Sequence, residues 1–192
     1  MNKIIDFLKN NLKQSRYEHT MGVRDEAVKL ARHYGADEGK AETAALIHDC
    51  CKNKSLEELV SLANELNLPL DEMQRESTAL LHGPVGAVFA KNYFKIEDSE
   101  VIDAVACHTT GKADMTLLDK IIYLADYIEP NREAFEGLEE LREIAYVDLD
   151  KAMLKALNMS VKHVKSKGAL VHPDTLAAIN CFNAKCKMQN AK

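Results

Sequence analysis

Ala44-Ala45-Leu46-Ile47-His48-Asp49-Cys50-Cys51-Lys52 sets a histidine and an aspartate side by side at the end of a run of small and apolar residues. Working back from it, Ala41, Ala44, Ala45 and His48 follow the i, i+3, i+4, i+7 rule, so on a helix they share one buried stripe. His48 then points inward, and Asp49 lies about 100° round the helix, at the edge of the stripe. An imidazole and a carboxylate in apolar surroundings need a partner for their lone pairs and charge. A divalent metal supplies both; a hydrogen-bonded core histidine beside a helix-capping aspartate is the plainer alternative.

The surrounding pattern is helical throughout. Ile4, Ile5, Leu8 and Leu12 mark a first amphipathic helix. Ser15-x-x-Glu18 predicts a capping box that starts a second helix near Arg16, and Gly35 ends it. The His48-Asp49 helix is expected to run on to residues 51–53. Ser55-x-x-Glu58 and Thr116-x-x-Asp119 predict further capped starts. Pro84 suits a first helical position, which would leave His82 just outside a helix N-terminus. Asp98 or Ser99 opens a helix that His108 closes. A long helix runs from Leu149 to Gly168, and Pro173-Asp174 opens the last. No strand, repeat or linker stands out. The expected architecture is all-α, one domain over residues 1–186 with about nine or ten helices, followed by a polar tail over 187–192.

Composition narrows the function classes. Over 192 residues the chain is 46% hydrophobic and 29% charged, with net charge -5, which suits a globular protein and disfavours a nucleic-acid partner. Met1–Leu12 is charged and amphipathic, so no secretory leader is expected there. No apolar run approaches the ~18 residues of a membrane span. The cysteines 50, 51, 107, 181 and 186 show no paired metal spacing and read as small buried residues of a reducing cytoplasm. Phosphate-loop, dinucleotide and nucleophile-elbow motifs are all missing. Histidines remain as the chemical resource. His19 lies one turn before Val23 on an inward stripe. His48, His82 and His108 sit at expected helix ends or stripes, and His172 less clearly so. Asp126 interrupts the apolar run Ile121–Ile128, and a carboxylate there asks for a partner. Imidazoles with carboxylates suit zinc, iron, manganese or nickel.

Taken in order, His19, His48-Asp49 and Asp126 resemble the HD-domain metal-dependent phosphohydrolases. Arg16–Val23, Leu81–Ala87, His108–Gly111 and Tyr123–Arg132 are similar to the corresponding phrases of the YqeK-type bacterial subset, the symmetrical diadenosine tetraphosphate hydrolases, along nearly the whole chain. The resemblance implies that His19, His48, Asp49 and Asp126 are metal ligands. It implies a divalent transition metal, iron ahead of manganese, nickel or zinc, with one ion favoured over two. Asp49, Lys52, His82 and His108 are the expected catalytic residues. The expected substrate contacts are His19, Lys52, Asn53, His82, His108, Asp126, Glu129, Asn131 and Arg132. Lys52 serves as a point charge and Arg132 as a bidentate clamp on phosphate. His82 and His108 are expected on phosphate, with a second metal next in order. Cys50-Cys51 departs from the family pattern at positions that are not ligands.

The expected partner is a dinucleoside polyphosphate in the cytoplasm, with no nucleic acid and no membrane; a homodimer is compatible. Hydrolysis to two nucleoside diphosphates leads. Action on a nucleoside monophosphate or guanosine alarmone, or nucleotide sensing without turnover, are the alternatives.

Overall fold

Seven helices begin with a short polar side chain folded back on the free N–H groups of their first turn, the arrangement that satisfies donors no helical carbonyl can reach. The computed structural model describes the backbone of residues 1–190 and side chains through Lys185. Its elements are α1 (Asn2–Asn11), α2 (Gln14–Tyr34), α3 (Glu38–Ile47), α4 (Leu56–Glu65), α5 (Glu72–Arg75), α6 (Thr78–Tyr93), α7 (Ser99–Cys107), α8 (Leu117–Ile128), α9 (Leu138–Ala145), α10 (Leu149–Ser166) and α11 (Pro173–Asn190). Ser55 and Thr116 form the expected capping boxes. Asp37, Asp98 and Asp148 cap α3, α7 and α10. The architecture is all-α, with no strand among the described residues. The single turn α5, capped by Asp71, and the short α9 are the two helices the sequence reading did not separate. Of the expected tail 187–192, the side chains lie outside the described residues.

Three local expectations are corrected. The Ser15-x-x-Glu18 box does not form: α2 starts at Gln14 with Lys13 as its cap residue. Glu18 accepts instead from the Gln14 side-chain amide at 2.7 Å. Second, α3 stops at Ile47, with His48 as its C-cap and tight turns over residues 49–54. Asp49 is therefore on a turn, and at 2% exposure it is inside the molecule, not at the edge of a stripe. Third, Pro84 lies within α6, seven residues in, because Ser77 caps the helix well upstream. His82 is a mid-helix residue and has no helix N-terminus beside it. Proline there removes one helical donor, and the Leu80 carbonyl loses its i+4 partner.

Two helices run through the middle. α3 packs on α2, α6, α7 and α8, and α8 packs on α2, α3, α7, α9 and α10. In α3, residues Ala41, Ala44, Ala45, Leu46 and Ile47 are fully buried. The alanines let neighbouring helices approach, while each buried Leu or Ile contributes about 1.5–3 kcal/mol. In α8, Ile121, Ile122, Leu124 and Ala125 are fully buried. Gly83 lets α6 close on the end of α7: a Cβ there would stand 3.2 Å from the His108 ring and 3.3 Å from the Ala106 carbonyl. Among the described residues no helix is long and apolar enough to cross a membrane.

Candidate metal centre

The C-terminal end of α3, the C-terminal end of α7, the middle of α6, the first turns of α2 and the last turn of α8 meet at one place. They deliver His48 with Asp49, His108, His82, His19 and Asp126 respectively. All but Asp126 are buried, and Asp126 keeps 21% of its side chain exposed, which marks the mouth of the site.

Local backbone contacts set the ring orientations. His48 Nδ1 lies 2.6 Å from the Ala45 carbonyl, His82 Nδ1 3.0 Å from that of Thr78, and His108 Nδ1 2.7 Å from that of Val105. A carbonyl can only accept, so each Nδ1 carries the proton and each Nε2 is bare. His19 reaches the same state through a carboxylate: its Nδ1 is 3.1 Å from Glu129 Oε1. Burial pushes His48 down to about 4 and lowers His82 as well, so both rings are neutral near pH 7. Burial works to raise the two aspartates. Positive charge facing them overcomes it, from the His48, His108 and His82 rings when protonated at Asp49 and from His19 and His48 when protonated, with Arg132, at Asp126, so both carboxyls fall well below their usual range; with the rings neutral, a bound cation would supply that charge.

These bare nitrogens point at ionised oxygens. His82 Nε2 is 3.0 Å and His108 Nε2 3.6 Å from Asp49 Oδ1, and the two nitrogens are 3.1 Å apart. His48 Nε2 is 3.5 Å from Asp49 Oδ2, and His19 Nε2 3.0 Å from Asp126 Oδ1. Nε2 of His19 and His48 and Oδ1 of Asp49 are buried with no hydrogen-bond partner among the described residues. Lone pairs facing lone pairs at these distances repel unless a cation stands among them. The donor sets His19–His48–Asp126 and His48–Asp49–His108 each lie within 4.8 Å, sharing His48. Imidazole with carboxylate is the donor chemistry of a divalent transition metal, and the residues fit one.

Cations ring the centre. Lys52 Nζ is 3.2 Å from His82 Nε2 and 3.8 Å from Asp49 Oδ1. Arg132 Nη2 is 3.7 Å from Asp126 Oδ1. Arg16, to which the sequence reading gave no role, donates from Nη1 to Asp49 Oδ2 at 2.9 Å. Its signal was available: it precedes His19 by three residues and so shares a helix face with it.

Two of the expected substrate contacts have protein partners. Asn53 turns its amide to the Asn11 carbonyl at 3.3 Å, which ties the turn to α1 and takes the side chain away from the centre. Glu129 is 1% exposed, with Oε1 on His19 and Oε2 accepting from the Asn131 backbone N–H at 2.6 Å, a position from which it would orient His19. Asn131 itself is exposed beside it. Gly22 is required here: a Cβ on it would come 2.3 Å from Glu129 Oε2. His172 is tied elsewhere, to Asp71. The Cys50 and Cys51 sulfurs are buried 4.0 Å apart behind the centre, with Cys50 donating to the Gly86 carbonyl.

Comparison with known proteins agrees with this arrangement. The model of the HD domain matches residues 16–131. A Halalkalibacterium halodurans protein named bis(5'-nucleosyl)-tetraphosphatase, symmetrical, is 42% identical over 178 residues, covering 93% of this chain and 94% of its own. A Bacillus subtilis protein of the same name is 39% identical, covering 90% and 92%. Among solved structures, a Clostridium acetobutylicum protein described as a predicted HD superfamily hydrolase involved in NAD metabolism superposes with a TM-score of 0.92 at 42% identity, over 96% of this chain and 97% of that one. A chain whose histidines and aspartates converge in this order, and whose residues 16–131 match that model, belongs to the HD domain family.

Proposed function

We propose that this protein hydrolyses diadenosine tetraphosphate at its central linkage, giving two ADP. The observation that carries the reading is the convergence of proton-free imidazole nitrogens on ionised carboxylate oxygens, with Lys52, Arg132 and Arg16 around it. The choice of substrate follows the relatives named for that activity.

His19, His48, Asp49 and Asp126 would hold one divalent metal. His82 and His108, whose Nε2 atoms stand beside Asp49 Oδ1, would face the phosphates, or with Asp49 would hold a second ion. Iron leads manganese, nickel and zinc. Metal bound here supplies a Lewis acid and lowers the pKa of a water. The water oxygen joins the second phosphorus of the chain, the bond from that phosphorus to the central bridging oxygen breaks, and the second ADP leaves with that oxygen. Asp49, Lys52, His82 and His108 are the catalytic residues in this reading.

The chain's own groups handle position and charge. Glu129 and the carbonyls of Ala45, Thr78 and Val105 fix the four rings before substrate arrives, so no reorganisation is needed in the reaction. Lys52, one-third exposed, places a mobile positive charge where the scissile phosphate enters. Arg132, also one-third exposed, offers a planar fork to the retained diphosphate at the mouth. The free buried thiols Cys50, Cys51 and Cys107 suit a cytoplasmic setting. Products formed from diadenosine tetraphosphate in ¹⁸O-water by metal-loaded protein test the reading. ADP alone, with one label per pair, is expected; equal ATP and AMP would overturn it.

A further inference from the structure

Arg16 and Arg132 stand in matching positions. Each sets a guanidinium against one of the two aspartates of the centre, Arg16 on Asp49 from the start of α2 and Arg132 on Asp126 from the turn after α8. Each is about one-third exposed, at 30% and 32%, so each is anchored at the centre and open to incoming ligand. The anchors differ in one respect. Arg16 holds Asp49 Oδ2 at 2.9 Å, and the bare His48 Nε2 lies 3.5 Å from that same oxygen. A metal taken up by His48 and Asp49 would stand beside this guanidinium, and the repulsion between like charges would loosen its hold on Oδ2.

We propose that Arg16 is a second phosphate clamp, which exchanges Asp49 for the phosphates of the leaving nucleoside diphosphate once metal is bound. The inference rests on the function proposed above and deepens it by assigning the other half of the substrate. A displaced guanidinium keeps five donors and a full charge and needs an anion. A dinucleoside tetraphosphate brings about four negative charges, one on each phosphate. Lys52 and Arg132 answer two of them. Arg16 supplies a third cation, on Asp49, as Arg132 stands on Asp126, and it would serve the second diphosphate. Charge developing on the leaving half then meets a cation already held in place.

The test compares Arg16→Ala, Arg16→Lys and Arg132→Ala as metal-loaded enzymes. Three quantities are measured: metal content by elemental analysis, ADP affinity by calorimetry, and kcat/KM with diadenosine tetraphosphate. Arg16→Ala is expected to keep its metal and hold ADP within about 2-fold of the parent. Its kcat/KM is expected to fall by about 10- to 100-fold, the loss of a charge-assisted hydrogen-bond pair. Arg16→Lys should recover part of that, and Arg132→Ala should weaken ADP itself. Loss of metal from both Arg16 variants would make Arg16 a positioning residue for Asp49 and overturn the proposal. Unchanged kcat/KM, or an ADP loss equal to that of Arg132→Ala, would overturn it as well. The product pattern of the parent enzyme separates these failures from failure of the hydrolase reading, since ATP and AMP from the unaltered protein would sink the latter alone.

Discussion

His48 and His172 are both buried, and they differ in what their ring nitrogens face. His172 accepts from the Asp174 N–H at Nδ1 and donates from Nε2 to Asp71 at 3.0 Å, so the protein satisfies the ring completely. His48 gives its Nδ1 proton to the Ala45 carbonyl and turns a bare Nε2, with no hydrogen-bond partner among the described residues, toward an Asp49 oxygen 3.5 Å away. Burial alone marks neither as functional. The orientation of the unused lone pair does, because a folded chain leaves a buried polar atom unmatched only where something else is to match it.

The largest effect expected from this contrast is at His48 and Asp49. His48→Ala or Asp49→Ala should lose metal and about 10³-fold or more in activity, the several kcal/mol a bound metal contributes, while remaining helical by circular dichroism. Full metal occupancy in both variants would erase the distinction between the two histidine environments. Next comes Glu129→Gln, which removes the carboxylate behind His19 and should cost about 10–100-fold in metal affinity or turnover. A titration with the metal ion reads it directly, and an unchanged dissociation constant would remove Glu129 from the arrangement.

His172→Ala should do the reverse, lowering stability by about 1–3 kcal/mol in urea melts with metal content and kcat unchanged. Its acid dependence sharpens the point. Burial works to raise Asp71, but the Gln74 N–H and His172 lower it overall. That contribution is present above the unfolded carboxylate pKa of about 3.9 and fades as pH falls through the lower folded value. The variant should therefore lose less stability on acidification than the parent. The smallest effect is at Thr116→Ala, which opens a capping box and should cost about 1 kcal/mol without touching the centre.

Much of this was legible along the chain. Capping boxes at Ser55 and Thr116, and the inward stripes carrying His19 and His48, are local patterns, and local patterns survive folding. What the sequence hid was tertiary. Pro84 reads as a helix start, yet α6 runs through it, because an upstream cap at Ser77 and close packing of Gly83 on α7 outweigh one lost hydrogen bond. Asn53 and Glu129 stand beside the candidate ligands in sequence, but one bonds to α1 and the other to His19 and the Asn131 backbone. Arg16 was visible by spacing and gained meaning only when Asp49 arrived opposite it. The Ser15 box failed because α2 begins at Gln14 with Lys13 as its cap residue, which puts Ser15 inside the helix.

The six donors come from five separate helices, and His19 meets Glu129 across 110 residues of chain. No peptide segment of this protein holds more than two of them in sequence. An unfolded or half-folded chain therefore has no centre, and an ion held by His19, His48, Asp49 and Asp126 would report a molecule whose α2, α3 and α8 are docked. Metal stoichiometry in a purified sample is thus an assay of the folded fraction. Binding also draws the folding equilibrium along with it, so the melting temperature should climb with free metal concentration. Starving a cell of the ion would then lower the amount of the protein as well as its activity, through clearance of unfolded chains.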